Sequence, residues 1–481
     1  MQQDLELEAY ISRLNTGESV RELFRRHGLR FRWIALLTIS LANIATLSSS
    51  TMINVAIPQI MASFDIKQSE AQWLSSTFLA ASTVSMLLSA WSTQYFGIRR
   101  TVLLAMSVFI VGSVLGSLSP NIETMVIARI LQGTCTGIIT PLSMSLIFHL
   151  FLPGKQGYAM GLSTAAMILG PAIGPTVGGL LVDTLNWRYV FIASIPFSLF
   201  VLPLTRLYLP PRNTTRARLP FDWPGVLLIS CAISFLLLAL GNGDRVGWTS
   251  STTLSRFGFS IVFLFGFIWR EAYCLHPILQ LKVFSNIRFS LLAVVSFVFG
   301  AGLYGSTYLI PLFLQIGHGL SATQSGFLLL PASVLMGLCF PIGGRLADIL
   351  DVRWLITIGF LAFAFSSYLF VHADQYTHYN SLLVWIIIGR LGIGILAPAL
   401  SLSSLRCLPP ELLQHGAGAS PFIRQLGGAF GVSLISVYLD RRTVFHLDAI
   451  EGFHDSFLII TIIFTLTLIP TWILRREKIS K

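Results

Sequence analysis

Charge is scarce in this chain. Of its 481 residues only 11% are Asp, Glu, Lys or Arg, against about 25% in an average soluble domain. So few charges cannot cover the surface of a soluble protein of this length. Acids are scarcer than bases, 21 against 32, and they fall in polar connections or near the ends of apolar runs, as do the nine histidines. Cys135, Cys231, Cys274, Cys339 and Cys407 stand singly, with no close pair and no metal spacing, which excludes a disulfide framework or a CxxC-type metal site. No paired carboxylates, Ser-His-Asp set or His/Cys/Asp/Glu cluster appears. The sequence therefore offers no catalytic site, no metal site and no cofactor, and the expected protein is not an enzyme.

What is present is apolar, 54% of the chain, in blocks of the length that crosses ~30 Å of hydrocarbon at about 1.5 Å per residue. Fourteen blocks are read at 32–57, 71–94, 101–118, 122–148, 157–182, 187–209, 222–241, 254–274, 288–312, 323–347, 353–371, 381–404, 415–438 and 454–474. The first is too long for a signal-peptide core and no small-residue cleavage site follows it, so it is read as a permanent helix. The expectation is an all-α integral membrane protein with the lipid bilayer as its solvent. Residues 1–31 are either a short amphipathic helix, with Arg21, Arg25 and Arg26 toward the membrane surface, or a solvated basic tail.

The bases are distributed unevenly. With a cytoplasmic N-terminus, Lys67, Arg188, Arg245, Arg256, Arg441 and Arg442 fall outside. Arg129, Arg390 and Arg424 fall within blocks, and the other 23 are cytoplasmic. Arg206, Arg212, Arg216 and Arg218 in one linker, and Arg475, Arg476 and Lys478 in the tail, drive the bias. This positive-inside pattern predicts both termini in the cytoplasm. The net charge of +11 is then a topology signal and needs no nucleic-acid partner.

Weak internal repetition organises the blocks. Ser69-Glu-Ala-Gln72 returns as Ser321-Ala-Thr-Gln324, Arg129-x-x-x-Gly133 as Arg390-x-x-x-Gly394, and Gly170-x-Ala-x-Gly174 as Gly427-x-Ala-x-Gly431. The matches keep their order and similar offsets, pairing blocks 1–6 with 9–14 and leaving 7 and 8 over. Repeats of this kind form two bundles with a substrate path between them. The expected organisation is a segment 1–31, a six-helix bundle 32–209, a linker and inserted helix pair 210–287, a six-helix bundle 288–474 and a tail 475–481.

Block five carries the most specific pattern: Gly161, then Gly170, Gly174-Pro175 and Gly178-Gly179. Positions 170, 174 and 178 lie four apart and form a stripe of bare backbone along one helix face, which lets a second helix approach closely. Pro175 removes a backbone donor and can bend the helix.

This pattern resembles the antiporter motif of drug exporters in the major facilitator superfamily. Ser50-Thr-Met-Ile-Asn54-Val-Ala-Ile-Pro58 resembles the end of helix one in the fourteen-helix drug:proton antiporter branch. Arg129-Ile-Leu-Gln132-Gly133 is similar to its helix-four motif, Trp187-Arg-Tyr-Val-Phe191 to its helix-six start and Arg424-Gln-Leu-Gly-Gly428 to its helix thirteen. The resemblance spans roughly residues 30–475 and is nearest to inner-membrane efflux permeases of the EmrB type. It implies the major facilitator fold and export of small organic compounds in exchange for protons. It also brings a periplasmic adaptor and an outer-membrane channel as partners. Three features depart from the family. Ser49 stands where an aspartate is usual; the first cytoplasmic latch, Ser89 to Arg100, carries Gln94 in place of an acid; and only about fifteen residues separate the last two blocks. The second latch, Gly343-Gly344-Arg-Leu-Ala-Asp348, keeps the pattern. With Arg99, Arg100 and Arg353 it makes up the expected cytoplasmic gate.

An ionisable residue inside a membrane is costly and is a functional candidate by default. Arg129, Arg390 and Arg424 are those candidates, the alternative for each being a structural brace to backbone carbonyls. Arg129 and Ser49 lie at similar depth, so they are expected to face one another, with Gln132 and Asn54 nearby and the polar run Thr46, Ser48, Ser50 and Thr51 lining a shared cavity. Tyr304, Thr307, Tyr308 and Gln315 are expected to add to it from block nine. Arginines without acids favour anionic substrates. Beside proton-driven export, two readings therefore stay open: an anion-selective uptake carrier or facilitator, and a non-transporting sensor or assembly subunit.

Overall fold

The computed structural model describes residues 18–66, 68–71, 73–211, 220–320, 322–445 and 449–474. Residues 1–17, Lys67, the linker arginines 212, 216 and 218, Ser321 and the tail 475–481 lie outside the described residues, as do parts of the expected N-terminal and tail segments. Among the described residues every regular element is helical. Among the described residues fourteen helices are long and apolar enough to cross a membrane. They are α1 (Phe31–Phe64), α2 (Trp73–Phe96), α3 (Ile98–Ser117), α4 (Ile122–Leu150), α5 (Gln156–Thr184), α6 (Ile195–Tyr208, led in by Arg188–Ile192) and α7 (Trp223–Val246). The chain continues with α8 (Ser251–Tyr273), α9 (Ile287–Leu312, prolonged by a π turn at Phe313–Gly317), α10 (Ala322–Ile349) and α11 (Val352–Val371). Last come α12 (Tyr379–Arg406), α13 (Leu413–Phe445) and α14 (Ala449–Leu466, followed by Leu468–Ile473).

Each expected block is a helix, and the differences lie at the ends. α1 does not stop at 57 but runs through Pro58 to Phe64. The proline removes one backbone bond, while Ile60 beyond it is fully buried with Met52, Ile53 and Ala56 in a core at the far end of the helix. Packing carries the helix past its breaker, and Asp65 then ends it with a left-handed φ of 52°.

Short polar residues set several starts. Asn121 Oδ1 accepts the Thr124 N–H at 3.0 Å, Ser250 Oγ accepts the Thr253 N–H at 3.2 Å, and Asp351 Oδ1 accepts the Arg353 N–H at 3.1 Å. Each satisfies a donor that the first helical turn leaves open. Ahead of α1, the helix Glu18–His27 is amphipathic: Val20, Leu23 and Phe24 are buried, and Phe24 meets Phe31 edge-on at 4.9 Å. Of the two readings of this segment, the amphipathic helix holds for residues 18–27.

The packing repeats. In the first half α1 lies along α5 and α2 along α4; in the second, α9 lies along α13 and α10 along α12. Two seams join the halves, α5 with α10 and α13 with α2. These are the same pairing with the halves exchanged. α7 and α8 pack on each other, and α7 also touches α2 and α13, so the extra pair lies over one seam and not the other. Two large apolar clusters, one centred on each half, make up most of the core.

Candidate functional site

Arg129 of α4 is fully buried between α1 and α2. Its Nε donates to Leu74 O at 3.0 Å; Nη1 donates to Gln132 Oε1 at 2.9 Å, to Ser49 O at 3.2 Å and to Ser49 Oγ at 3.3 Å. The guanidinium lies 4.2 Å from the Phe78 ring centroid, so its charge also meets an aromatic face. Gln132 extends the network by donating to Ser113 Oγ at 2.9 Å. Ser49 does face Arg129, through both its carbonyl and its hydroxyl. Nη2 alone is buried without a hydrogen-bond partner. A guanidinium keeps its proton in proteins, so the site carries a fixed positive charge, and no acidic side chain is among these partners.

The neighbouring polar run of α1 behaves differently from the expected cavity lining. Thr46 donates to Ala42 O at 3.0 Å, Ser48 to Ile44 O at 2.7 Å and Ser50 to Leu47 O at 2.6 Å. These hydroxyls bond back to their own helix, as Ser and Thr do when a helix interior buries them. Thr46, Ser48 and Ser49 are enclosed by packing. Asn54 sits apart from Arg129, exposed, and accepts the Ser75 hydroxyl at 2.9 Å.

Arg390, the repeat counterpart of Arg129, is 8% exposed and meets no hydrogen-bond partner among the described residues. Its copy of the site therefore lacks the carbonyl, amide and hydroxyl cage. Arg424 on α13 reaches Ser401 Oγ at 3.5 Å. Next to it, Gln425 Nε2 crosses the seam to donate to Thr83 Oγ1 at 2.9 Å and Ser82 Oγ at 3.1 Å. Tyr304, Thr307, Tyr308 and Gln315 are exposed on α9, Tyr304 packing over Gly428. Among the described residues the three arginines share no hydrogen-bond partner.

The glycines of α5 divide between two partners. Gly170, Gly174 and Gly178 face α1. A Cβ at Gly170 would lie 3.0 Å from Ile44 O, one at Gly174 would overlap the Thr51 hydroxyl and lie 2.8 Å from Ser48 O, and one at Gly178 would lie 3.1 Å from Met52 O. Pro175 cannot donate to the carbonyl of Pro171 four residues back; Thr51 Oγ1 donates to that oxygen instead, at 3.2 Å. The proline is thus tolerated because the neighbouring helix supplies the missing donor. Gly179 makes only ordinary contact with Val55, at 3.8 Å.

Gly161 turns the other way, onto Phe340 O and Pro341 of α10, and Gly157 lies against Gly344 O. Here the two halves touch at the face that carries the start of α1. Asp348 locks the joint: Oδ1 accepts the Gly157 N–H at 2.9 Å, Oδ2 accepts the Tyr158 N–H at 3.1 Å, and Arg406 Nη2 donates to Oδ1 at 2.7 Å. The start of α5 offers unpaired backbone N–H groups, which suit a carboxylate. Gly344 and Asp348 are therefore at the joint, as expected of the gate.

The other expected gate residues are elsewhere. Arg99 Nε donates to Leu209 O at 2.7 Å and fastens α3 to the end of α6; Arg100 is exposed. Arg353 pairs with Asp351 at 2.7 Å and donates to Leu474 O at 3.3 Å, away from the α5–α10 joint. A latch arginine is read from its motif, yet Arg99 and Arg353 each hold a connection within one half. The arginine that meets Asp348 is Arg406, 58 residues along the chain, and no spacing rule links the two. Gly157 was legible in principle, since it continues the four-residue glycine stripe below Gly161.

Comparison with known proteins follows the same outline. A family model described as the Major Facilitator Superfamily matches residues 39–432. An uncharacterized MFS-type transporter of Bacillus subtilis, YhcA, is 30% identical over 418 residues, covering 87% of this chain and 78% of that one. The multidrug export protein EmrB of Haemophilus influenzae is 27% identical over 419 residues, covering 86% and 82%. Among solved structures, the proton:xylose symporter XylE superposes with a TM-score of 0.67 at 16% identity, covering 94% of this chain and 97% of that chain.

Proposed function

This chain belongs to the major facilitator superfamily of membrane transporters, and from that premise we propose that it is a secondary active transporter exporting small organic compounds by alternating access, in exchange for protons. The observation that carries the reading is the α5–α10 joint. It consists of bare backbone on both sides and one carboxylate, Asp348, held by two N–H groups and Arg406. Such a joint packs closely when shut. The named export activity of the Haemophilus relative supports the direction.

In this reading the chain comprises the segment 1–31, bundles 32–209 and 288–474, the linker and inserted pair 210–287 and the tail 475–481. The seams α5–α10 and α13–α2 support that division. The excess of Lys and Arg supports a cytoplasmic face at the start of α1, both termini on it, and an inner-membrane location. The joint at Asp348 then closes the cytoplasmic side. Arg129, Ser49 and Gln132 act as a fixed charged brace beside the pathway, and Asn54, Arg390 and Arg424 as candidates for substrate contact. An EmrB-type partner set, a periplasmic adaptor and an outer-membrane channel, completes the reading, and copurification tests it.

The lack of a carboxylate beside Arg129 and the bare guanidinium of Arg390 favour anionic substrates in a second reading, an anion-selective carrier without proton coupling. Cellular accumulation of a panel of cationic, neutral and anionic dyes tests both. An exporter lowers accumulation on expression, and the effect collapses when a protonophore is added; an uptake carrier raises accumulation of anionic dyes alone.

A further inference from the structure

The inserted pair α7–α8 holds two buried acids that the pathway does not use. Asp222 caps α7: Oδ1 accepts the Gly225 N–H at 3.2 Å and Arg270 Nη2 at 3.2 Å. Glu271, near the end of α8, accepts the Leu279 N–H on Oε2 at 3.0 Å. Both are more than nine-tenths buried. The second oxygen of each, Asp222 Oδ2 and Glu271 Oε1, is buried with no hydrogen-bond partner. Both oxygens point at one spot beside Gly225, where a Cβ would lie 2.6 Å from the first and 2.9 Å from the second. Arg270 is the one cation paired with them among the described residues, and its side chain is 42% exposed.

Two buried carboxylates beside a single, half-exposed guanidinium leave one negative charge without compensation. Taking such a charge out of water is costly, and carboxylates that share a site relieve the cost by keeping a proton. Water at the adjoining face can deliver it. We propose that Asp222 and Glu271 form a proton-binding site, with one proton bonded to Glu271 Oε1 and donated to Asp222 Oδ2, and that its occupancy governs docking of the segment 274–282 onto α13. Gly225 is the residue that admits the arrangement, because any side chain there would part the two oxygens.

The site connects to the seam between the halves. The Leu279 N–H rests on Glu271, and Ile278 and Leu279 are buried in the core cluster. His415 at the start of α13 donates from Nδ1 to Ile278 O at 3.0 Å, which leaves Nε2 to accept from Gln94 of α2 at 3.4 Å. The charged or titratable groups facing the pair and its link are Arg270 on α8, Cys274 just beyond it and His415 on α13. Loss of the shared proton sets two carboxylates against each other, draws Glu271 away from Leu279 and releases the segment from the α2–α13 seam. The docked state is thus the protonated one, and it weakens as rising pH removes the shared proton.

The test uses the purified full-length protein in lipid films. Infrared difference spectra between mildly acidic and mildly alkaline buffer should contain a protonated-carboxyl C=O band in the wild type. Glu271→Gln keeps an acceptor for Leu279 and an N–H for Asp222, so it should lose the band and remain docked. Asp222→Asn, which retains a good capping side chain, should lose it too. Maleimide labelling of Cys274, followed by peptide mass analysis, should rise more steeply with pH in the wild type than in Glu271→Gln, intrinsic thiol ionisation being common to both. A band absent from the wild type, or unchanged in both variants, overturns the proton site. Identical Cys274 labelling profiles in wild type and Glu271→Gln overturn its control of docking.

Discussion

At the scale of single residues, a buried guanidinium acts through what it touches. Arg129 spends its donors on Leu74 O, Ser49 and Gln132, and removing it takes a donor from each of these buried acceptors and empties the space its side chain fills. Arg129→Ala is expected to destabilise the protein by about 3 kcal/mol, read as a large drop in the thermal unfolding midpoint in detergent; an unchanged midpoint would show that the cage does not matter. Ser49→Asp puts a carboxylate against the same guanidinium. It is expected to raise that midpoint and suppress transport, because a brace held by an ion pair resists the motion between states. Transport at the wild-type rate with matched protein levels would remove this pair from the mechanism. Arg129 and Ser49 were legible in the sequence because two polar residues at equal depth in adjacent helices have few other partners. The bonding of Thr46, Ser48 and Ser50 to their own helix was not, since sequence shows that a hydroxyl is buried but not which carbonyl takes its proton.

At the scale of elements, α5 is the instructive helix. Its four-residue glycine spacing announces close approach, yet the sequence does not say to what. The upper glycines serve α1 and the lower ones α10, because a long helix crosses two neighbours at different heights. The two groups of substitutions should therefore differ. Gly174→Leu collides with Thr51 and Ser48 and is expected to abolish transport while membrane insertion survives. Gly157→Leu collides with Gly344 and should instead hold the α5–α10 joint open. Asp348→Asn keeps the shape but loses the charge that meets Arg406 and two N–H groups. It is expected to widen the distance between spin labels placed on the two sides of the joint. An unchanged distance distribution would mean that the joint is closed by packing alone. The joint was only half legible: Gly344 and Asp348 come from a motif, whereas Arg406 reaches Asp348 through the fold.

At the scale of the whole molecule, three weak sequence repeats foreshadowed a packing scheme in which α1–α5 and α9–α13, and α5–α10 and α13–α2, are paired copies. Helix number was legible because a bilayer fixes the length of an apolar run. The seat of the inserted pair over the α2–α13 seam was not, because its apolar surface carries no mark of the neighbour it meets. Tags appended at the two termini are expected to be reached from the same side of right-side-out vesicles only after the membrane is opened; access to either tag in sealed vesicles would break the topology. The central claim is that this machine couples an outward flux of organic compounds to an inward flux of protons. Its most direct test is purified protein in liposomes loaded with a pH-sensitive dye, exposed to a panel of anionic, neutral and cationic compounds with and without an imposed pH gradient. Substrate should accumulate against its own gradient only when the pH gradient is present, with protons moving the opposite way. Equal substrate movement with and without the gradient, and no proton counterflow, would contradict the account.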